Sequence, residues 1–402
     1  MLEILTQLAA ILIVGFFMKE LADRIKIPFI VLLILSGTLM ATYGIIDIKS
    51  LFPFPDLIRT LAIIMVVFSS AFYINIENIK KHSKSILMLA TLGVLLTTLL
   101  ITVTTLALLP IPFITAAFLG VLLSGTDPAA IATALPKKGS ELAGFLRAES
   151  LFNSPFTVIL PLLLIDYIKL PQEALSNVPK LFLLIAIGAI IGIAGGLLGK
   201  KLMEKTRESH TETLGLVLAI GTYVIAENFL GSGILAVALC SVMLNQGDYP
   251  KKGFLGEFNS ELAFVLTLFV FTMLGTQFQV ADLIFSRVEI FAVIIALFAS
   301  RMITVLIVLF NSEFKLMDKI KIGLIAPKGI SPAALAPLVM LPAYGIIGAE
   351  LIVKITYLAI VVSILVSVIV TKLSIKPKTE EELFQEKLDD KRELRIEKQK
   401  PK

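Results

Sequence analysis

Long apolar runs alternate with short polar segments along almost the whole chain. Most runs are long enough for a helix to cross the hydrocarbon core of a membrane, which takes about 20 residues. Charged residues, or Pro and Gly, bound each run. The pattern predicts thirteen transmembrane helices, named spans one to thirteen, at about residues 4–23, 28–46, 57–76, 85–109, 112–136, 145–169, 180–203, 213–229, 233–246, 259–279, 287–311, 320–342 and 349–373.

The basic residues between the spans test this number, because membrane proteins concentrate Lys and Arg on their cytoplasmic side. The segments after odd-numbered spans contain 17 Lys and Arg residues, and those after even-numbered spans contain 5. A missing or spurious span would break this alternation. We therefore expect a multi-pass protein of the cell membrane with its N-terminus outside and its C-terminus in the cytoplasm.

The composition agrees with a membrane protein. Of the 402 residues, 57% are hydrophobic and 17% are charged, and the mean hydropathy is +0.92. These values exclude an ordinary soluble enzyme. The sequence predicts an all-α polytopic fold with a transporter domain in the lipid bilayer over residues 1–373. Residues 374–402, which hold nine basic and eight acidic residues, are expected to form a charged cytoplasmic tail.

Enzyme and cofactor motifs are missing from the sequence. The chain has a single cysteine, Cys240, which excludes an internal disulfide framework and a cysteine-rich metal site. It has no Gly-rich phosphate loop, nucleophile elbow or zinc-ligand spacing. The excess of Lys and Arg over Asp and Glu, 36 against 31, follows from membrane orientation and needs no nucleic-acid partner. The sequence therefore predicts a protein without enzymatic activity, cofactor or nucleic-acid partner.

Two spans contain helix-breaking residues at mid-membrane, where ordinary spans keep every backbone group hydrogen-bonded. Span five contains Ser124-Gly125-Thr126-Asp127-Pro128, and span twelve contains Pro327-Lys328-Gly329-Ile330-Ser331-Pro332. Spans seven positions apart run in opposite directions. The breaks therefore predict an inverted-topology repeat of spans one to six and eight to thirteen, with span seven as linker and with spans five and twelve as crossed broken helices. Matched breaks of this kind indicate the binding site of a secondary transporter.

Two structural explanations of these breaks remain open. The prolines could merely kink their helices. Asp127 could serve only to offset the partial positive charges of two helix N-termini, without binding a substrate. The matched positions and the mid-membrane carboxylate favour a functional site over simple kinks, but the sequence leaves the role of Asp127 undecided.

Span six supplies polar residues at the depth of the first break. Asp127 and Asn153 lie ten and eight residues from the cytoplasmic ends of their spans, which is about 12–15 Å in a helix. Thr126, Asp127, Asn153 and Ser154 would thus offer hydroxyl, carboxylate and amide oxygens together. Such a set suits a monovalent cation, with Asp127 as its charged ligand.

Two further charged residues fall inside spans. Glu149 precedes Asn153 by one helical turn and shares its face. Because a buried carboxylate needs a partner, we predict that Glu149 and Arg301, at the middle of span eleven, form a structural ion pair. The two histidines, His82 and His210, fall in or beside loops and are expected to be solvated.

Several of these residues, taken in order, resemble a known family. They are Thr126-Asp127-Pro128, Glu149-Ser150-Leu151-Phe152-Asn153, Ala226-Glu227, Ser232-Gly233-Ile234-Leu235-Ala236 and Arg301. Together they are similar to the sodium/proton exchanger branch of the monovalent cation:proton antiporter superfamily, over almost the whole membrane region. The resemblance implies a thirteen-helix inverted-repeat fold, a homodimer, a core domain with crossed broken helices, and an elevator-like exchange of a cation for a proton.

The chain departs from the family pattern at two positions. The family has an aspartate after the asparagine, where this chain has Ser154, and a glutamate in span three, where this chain has Ser69. A serine hydroxyl can bind Na⁺ or K⁺ but does not titrate in the physiological range. The leading hypothesis is therefore an antiporter of Na⁺ or K⁺ in which Asp127 exchanges the proton.

Two alternatives follow from the missing carboxylates. The protein could be a transporter or channel-like protein on the same scaffold that moves a cation or small solute without proton coupling. It could also be a membrane sensor or assembly subunit that no longer transports and uses the charged tail to bind a partner.

Overall fold

The protein is mainly helical over the residues that the computed structural model describes. These residues are 2–25, 28–47, 54–74, 76–135, 141–169, 178–205, 210–247, 249, 252–276, 288–336, 339 and 346–374. They contain α-helices and one π-helical turn, and no β-strand occurs among them. The predicted all-α class is confirmed.

The α-helices overlap the predicted spans, although residues 77–84, predicted to lie between spans three and four, belong to a helix. In chain order they are α1 (Leu2–Ile25), α2 (Phe29–Thr42), α3 (Phe54–Phe72), α4 (Ile76–Met88), α5 (Val94–Leu108), α6 (Phe113–Ser124), α7 (Pro128–Ala134), α8 (Glu141–Lys169), α9 (Val178–Lys205), α10 (Thr211–Asn228), α11 (Gly233–Asn245), α12 (Lys252–Gly275), α13 (Val288–Val308), α14 (Leu316–Leu324), α15 (Ile330–Leu335) and α16 (Ala349–Ser374). The π-helical turn, Leu89–Gly93, joins α4 to α5.

Six helical stretches are long and apolar enough to cross a membrane by length and composition. They are Leu2–Ile25, Lys80–Leu108, Phe182–Lys205, Lys252–Gly275, Val288–Val308 and Ala349–Ser374, within the part of the chain that the structure describes. Shorter apolar helices, such as α2 and α11, lie between them. A multi-pass membrane protein is therefore confirmed, whereas thirteen crossings and the inverted repeat stay predictions.

The helices pack in two groups. The panel group consists of α1–α3 and α9–α12, in which α12 packs on α2 and α3, and α11 packs on α9 and α10. The core group consists of α4–α8 and α13–α16, in which α5 lies against α6 and α13, and α8 lies against α4 and α6. Both broken spans belong to the core group, where α3 and α11 of the panel group contact α8.

Close backbone contacts hold the panel group together. A Cβ atom added to Gly37 of α2 would lie 2.0 Å from the carbonyl oxygen of Thr272 in α12. The hydroxyl of the neighbouring Thr38 donates a hydrogen bond of 2.8 Å to the carbonyl oxygen of Gly275. Small residues and hydroxyl groups have this role in membranes because lipid offers no hydrophobic drive for helix association.

Both predicted breaks are present. Span five consists of α6 and α7, separated by residues 125–127, and span twelve consists of α14 and α15, separated by residues 325–329. Span six is the single helix α8, which stays helical through Pro155 and Pro161. Apart from Ser374, the predicted tail lies outside the described residues.

Candidate functional site

The two breaks meet in the middle of the core group. The backbone is extended at Gly125 and at Asp127, and Pro128 then begins α7. Proline suits a first helical position because its missing N–H would have no partner there. The backbone N–H of Asp127 donates a hydrogen bond of 3.1 Å to the carbonyl oxygen of Pro327 in the other break. The two interrupted spans are thus joined directly through their backbones.

Gly329 permits the close approach of the two breaks. A Cβ atom built on this residue would lie 2.6 Å from Oδ1 of Asp127 and 2.7 Å from its Cγ. Real Cβ atoms essentially never come so close to another atom, so any side chain at this position would displace the carboxylate. Glycine is therefore required here for space.

The carboxylate of Asp127 caps the first turns of both half-helices. Its Oδ1 accepts a hydrogen bond of 3.0 Å from the backbone N–H of Ala130 in α7. Its Oδ2 accepts hydrogen bonds from the backbone N–H and the hydroxyl of Ser331 in α15, at 3.1 and 3.2 Å. A negative charge is favourable at a helix N-terminus, and Asp127 serves two of them at once.

Lys328 also lies where the two breaks meet, a region called the crossing below. Its side chain is 2% exposed, and its Nζ donates a hydrogen bond of 2.6 Å to the carbonyl oxygen of Gly125, the residue that follows α6. Its backbone N–H donates a hydrogen bond of 2.9 Å to the hydroxyl of Ser363 in α16. The ammonium group therefore lies at a helix C-terminus, the end that favours a positive charge.

A polar network on α8 adjoins the first break. The hydroxyl of Thr126 donates a hydrogen bond of 3.0 Å to Oε2 of Glu149. Nδ2 of Asn153 donates to Oε1 of Glu149 and to the hydroxyl of Thr126, both at 2.8 Å. Oδ1 of Asn153 is buried and has no hydrogen-bond partner among the described residues. This oxygen is therefore available to a ligand.

Glu149 also contacts the guanidinium group of Arg301. Nη2 of Arg301 lies 3.2 Å from Oε1 of Glu149, and both side chains are fully buried. The contact is an ion pair without the alignment of a hydrogen bond, and Nε and Nη1 of Arg301 have no hydrogen-bond partner within the described part of the chain. Because the guanidinium group is poorly satisfied, its attraction to Glu149 is its main compensation for burial.

The structure does not bring the hydroxyl of Ser154 to the other predicted ligands. This hydroxyl donates a hydrogen bond of 2.7 Å to the carbonyl oxygen of Ser150, one turn earlier in the same helix. Ser69, where the family resemblance implies a missing glutamate, makes a hydroxyl–hydroxyl contact of 2.9 Å with Ser260 of α12. Both serines are thus engaged in hydrogen bonds within or between helices.

Lys328 was not predicted as a functional residue, although its sequence position offered a signal. It is the ionisable residue of the second break, as Asp127 is of the first. The described residues at the crossing therefore include two acids, Asp127 and Glu149, and two bases, Arg301 and Lys328. The ammonium group of Lys328 interacts electrostatically with the other three.

A cavity of about 380 Å³ lies between the panel group and α8. Polar residues on its wall include Ser69, Ser70, Ser260 and Arg147. None of the four charged residues at the crossing is among the described residues that line it.

Comparison with known proteins identifies the family. The family described as "Sodium/hydrogen exchanger, transmembrane" matches residues 8–376. The K(+)/H(+) antiporter NhaP of Alkalimonas amylolytica is 28% identical over 332 residues, which are 79% of this chain and 57% of that protein. The Probable Na(+)/H(+) antiporter 2 of Methanocaldococcus jannaschii is 25% identical over 81% of this chain and 82% of that protein. The chain thus spans little more than half the length of NhaP.

A solved structure supports the fold. The sodium proton antiporter MjNhaP1 from Methanocaldococcus jannaschii, determined at pH 8, superposes with a TM-score of 0.74 and 22% sequence identity. The superposition covers 92% of this chain and 95% of that one. The predicted fold class and the predicted membership of the antiporter superfamily are confirmed.

Proposed function

Because the chain belongs to the sodium/hydrogen exchanger family, we propose that it exchanges a monovalent cation for a proton across a membrane by alternating access. The names of the relatives, which are Na⁺/H⁺ and K⁺/H⁺ antiporters, support this class of activity and leave either ion possible. The observation that carries the proposal is the burial of Asp127 and Lys328 at a crossing of two interrupted helices. Buried ionisable residues in membranes mark ion and proton pathways.

Asp127 and Asn153 are the proposed main ligands of the cation. Asp127 supplies negative charge at the crossing, and Oδ1 of Asn153 is a buried amide oxygen that needs a partner. Oδ1 of Asn153 lies 3.2 Å from where a Cβ atom of Gly125 would be, two residues before Asp127. Oxygen ligands of this kind suit a hard cation that has lost part of its water. Thr126 orients Asn153, and Ser154 becomes a ligand only if its hydroxyl turns away from Ser150.

Lys328 is the proposed carrier of the proton. The sequence alone had suggested Asp127 for this role. With two acids and two bases in their ordinary charge states, the crossing carries no net charge. A bound cation adds one positive charge, and loss of a proton from Lys328 restores neutrality. If Asp127 carried the proton instead, the site would hold a net positive charge in both states, which is costly in a buried setting. Charge balance therefore favours Lys328.

A proteoliposome assay of the parent protein tests the proposed activity. An inward cation gradient should drive proton efflux, seen as a change of internal pH, together with uptake of the cation. The second candidate is transport without proton coupling, which Ser154 and Ser69 favour because a serine hydroxyl does not titrate in the physiological range. Cation uptake without a pH change would support this candidate. No uptake at all would support a non-transporting sensor or assembly subunit.

The assembly and orientation belong to the same proposal. We propose a homodimer in the cell membrane with the N-terminus outside and the tail from residue 374 in the cytoplasm. The unequal distribution of Lys and Arg between odd and even loops supports the orientation. Large exposed apolar side chains on α1 and α9, such as Phe16 and Phe182, support contact with lipid or a second copy. Cysteine labelling from each side of the membrane, and cross-linking between copies, test these statements.

A further inference from the structure

Three hydroxyl side chains form a line along the C-terminal half of α16. Ser363, Ser367 and Thr371 lie four residues apart and therefore share one face of the helix. Ser363 and Ser367 are 0% exposed, and Thr371 is 5% exposed. The first lies at the crossing, and the last lies close to the end of α16 at Ser374. We name these three residues the hydroxyl line.

Two hydroxyls of the line, those of Ser367 and Thr371, have no hydrogen-bond partner within the described part of the chain. Hydroxyls in helices ordinarily donate to a carbonyl oxygen three or four residues earlier, as that of Ser363 does to Ile360 at 3.1 Å. A buried hydroxyl without a partner is unfavourable, so both positions need a polar partner. Successive residues of the line are about 6 Å apart along the helix axis, a gap that one water molecule spans with two hydrogen bonds.

The hydroxyl line begins at Lys328, the proposed carrier of the proton. The hydroxyl oxygen of Ser363 accepts a hydrogen bond of 2.9 Å from the backbone N–H of Lys328. Nζ of Lys328 carries three hydrogens, of which one is donated to the carbonyl oxygen of Gly125. The line therefore starts beside the residue that the proposed function deprotonates.

The length of the line matches the depth of the crossing. Ser363 and Thr371 are eight residues apart, which is about 12 Å along a helix. The sequence places the crossing about 12–15 Å from the cytoplasmic boundary. The halves of the broken spans on the predicted cytoplasmic side are α7 and α14, and both contact α16. The line thus extends from the crossing to the predicted cytoplasmic surface.

We propose that the hydroxyl line, with a water molecule between successive residues, is the route by which protons pass between Lys328 and the cytoplasm. This proposal rests on the proposed function, in which Lys328 releases a proton as the cation binds. One N–H bond of Nζ breaks, and its proton passes to the neighbouring water molecule. Each hydroxyl oxygen then accepts a proton from one side and gives its own proton to the other side. The products are a neutral amine at Lys328 and one additional proton in the cytoplasmic water.

The proposed proton route is separate from the cavity between the panel group and α8. The described residues that line this cavity include none from α16. The proposed cation ligands, Asp127 and Asn153, lie directly before α7 and on α8, whereas the hydroxyl line lies on α16. Removal of a hydroxyl from the line should therefore slow proton transfer and leave cation binding unchanged.

Rates of exchange in proteoliposomes test whether protons use the line. Ser367→Ala and Thr371→Val should each lower the maximal rate of cation-driven pH change by about tenfold, because one hydrogen-bonded link is lost. The cation concentration that gives the half-maximal rate should stay at the parent value. Ser367→Thr keeps a hydroxyl and should keep the parent rate. Thr272→Val is the control, because it removes a buried hydroxyl of α12 that likewise has no partner among the described residues.

Access of water to the line is measured without transport. The full-length chain has one cysteine, so a Cys240→Ser background carries no other thiol. In that background, Ag⁺ added at the cytoplasmic side should protect the thiol of the Ser367→Cys variant against later labelling by a maleimide. The matched control is Ile364→Cys, which is equally buried at nearly the same depth but lies in an apolar cluster, and it should stay unprotected.

The two measurements together decide the proposal. Protection of Ser367→Cys, with slower exchange by folded Ser367→Ala, would support the proton route. An unprotected Ser367→Cys variant, or a Ser367→Ala variant that is folded by size-exclusion chromatography and exchanges at the parent rate, would overturn the route alone. A parent without any exchange would overturn the proposed function and the route with it, while the Ag⁺ measurement would still decide whether water enters the line.

Discussion

The ammonium nitrogen of Lys328 donates a hydrogen bond of 2.6 Å to the backbone carbonyl oxygen of Gly125. This bond joins the second break to the end of α6, while Asp127 caps the starts of α7 and α15. Each of the two charged groups therefore lies at the helix ends that favour its sign. The same groups can stabilise the crossing and exchange ions, and the following predictions separate these roles.

Removal of one partner of the buried ion pair should cost more stability than removal of both. Glu149→Gln removes the carboxylate that contacts the guanidinium group, and Arg301→Met removes the guanidinium group that contacts the carboxylate. Each change should cost about 3–5 kcal/mol, whereas the double variant should cost less than either. Thermal unfolding in detergent of the parent, the two single variants and the double variant gives a double-mutant cycle. Glu289→Gln, at an exposed position of α13, is the control. Additive losses would show that the two residues are not coupled.

Asp127→Asn should abolish exchange while leaving a folded protein. The amide keeps one acceptor for the half-helix N–H groups but removes the charge that binds the cation. Cation-driven pH change in proteoliposomes measures exchange, and size-exclusion chromatography measures the folded fraction. Loss of the folded protein would instead assign Asp127 a structural role, as the cap of two helix N-termini.

Gly329→Ala should destabilise the crossing. Its Cβ atom would meet Oδ1 of Asp127 at 2.6 Å, and overpacking of this kind costs about 1–3 kcal/mol. Gly221→Ala in α10 is the matched control, because a Cβ atom there meets nothing within 4 Å. Thermal unfolding of both variants compares their stabilities. If Gly329→Ala is as stable as Gly221→Ala, the two breaks are not so closely packed.

The sequence was sufficient to predict the helical spans, both breaks and the membership of Asp127 in one of them. Apolar run length and the chemistry of Pro and Gly determine these features locally. The hydrogen-bond partners of hydroxyl groups could not be predicted from the sequence. The hydroxyl of Ser154, for example, could donate to a carbonyl oxygen of its own helix or to a group on another helix. His82 was wrongly expected to be solvated, because its burial depends on Phe145 and Phe314, which are distant in sequence. Lys328 was visible in the sequence, but its proposed role follows from the charge balance of four residues.

Ser154→Asp tests whether residue 154 lines the ion path. If it does, the new carboxylate lies near Asp127 in a low-dielectric site, where two negative charges repel each other. The pH profile of exchange should then shift upward, or exchange should arise if the parent has none. Ser154→Asn is the control, because asparagine has the size of aspartate but carries no charge. An unchanged rate and pH profile in a folded Ser154→Asp variant would mean that residue 154 faces away from the path.

Exchange by a Lys328→Arg variant is the most direct test of the central claim. Arginine keeps the positive charge but does not release its proton at physiological pH. In proteoliposomes, the parent should couple cation uptake to proton efflux, whereas folded Lys328→Arg should show no cation-driven pH change. A folded Lys328→Arg variant that exchanges cations for protons at the parent rate would contradict the assignment of the proton to Lys328.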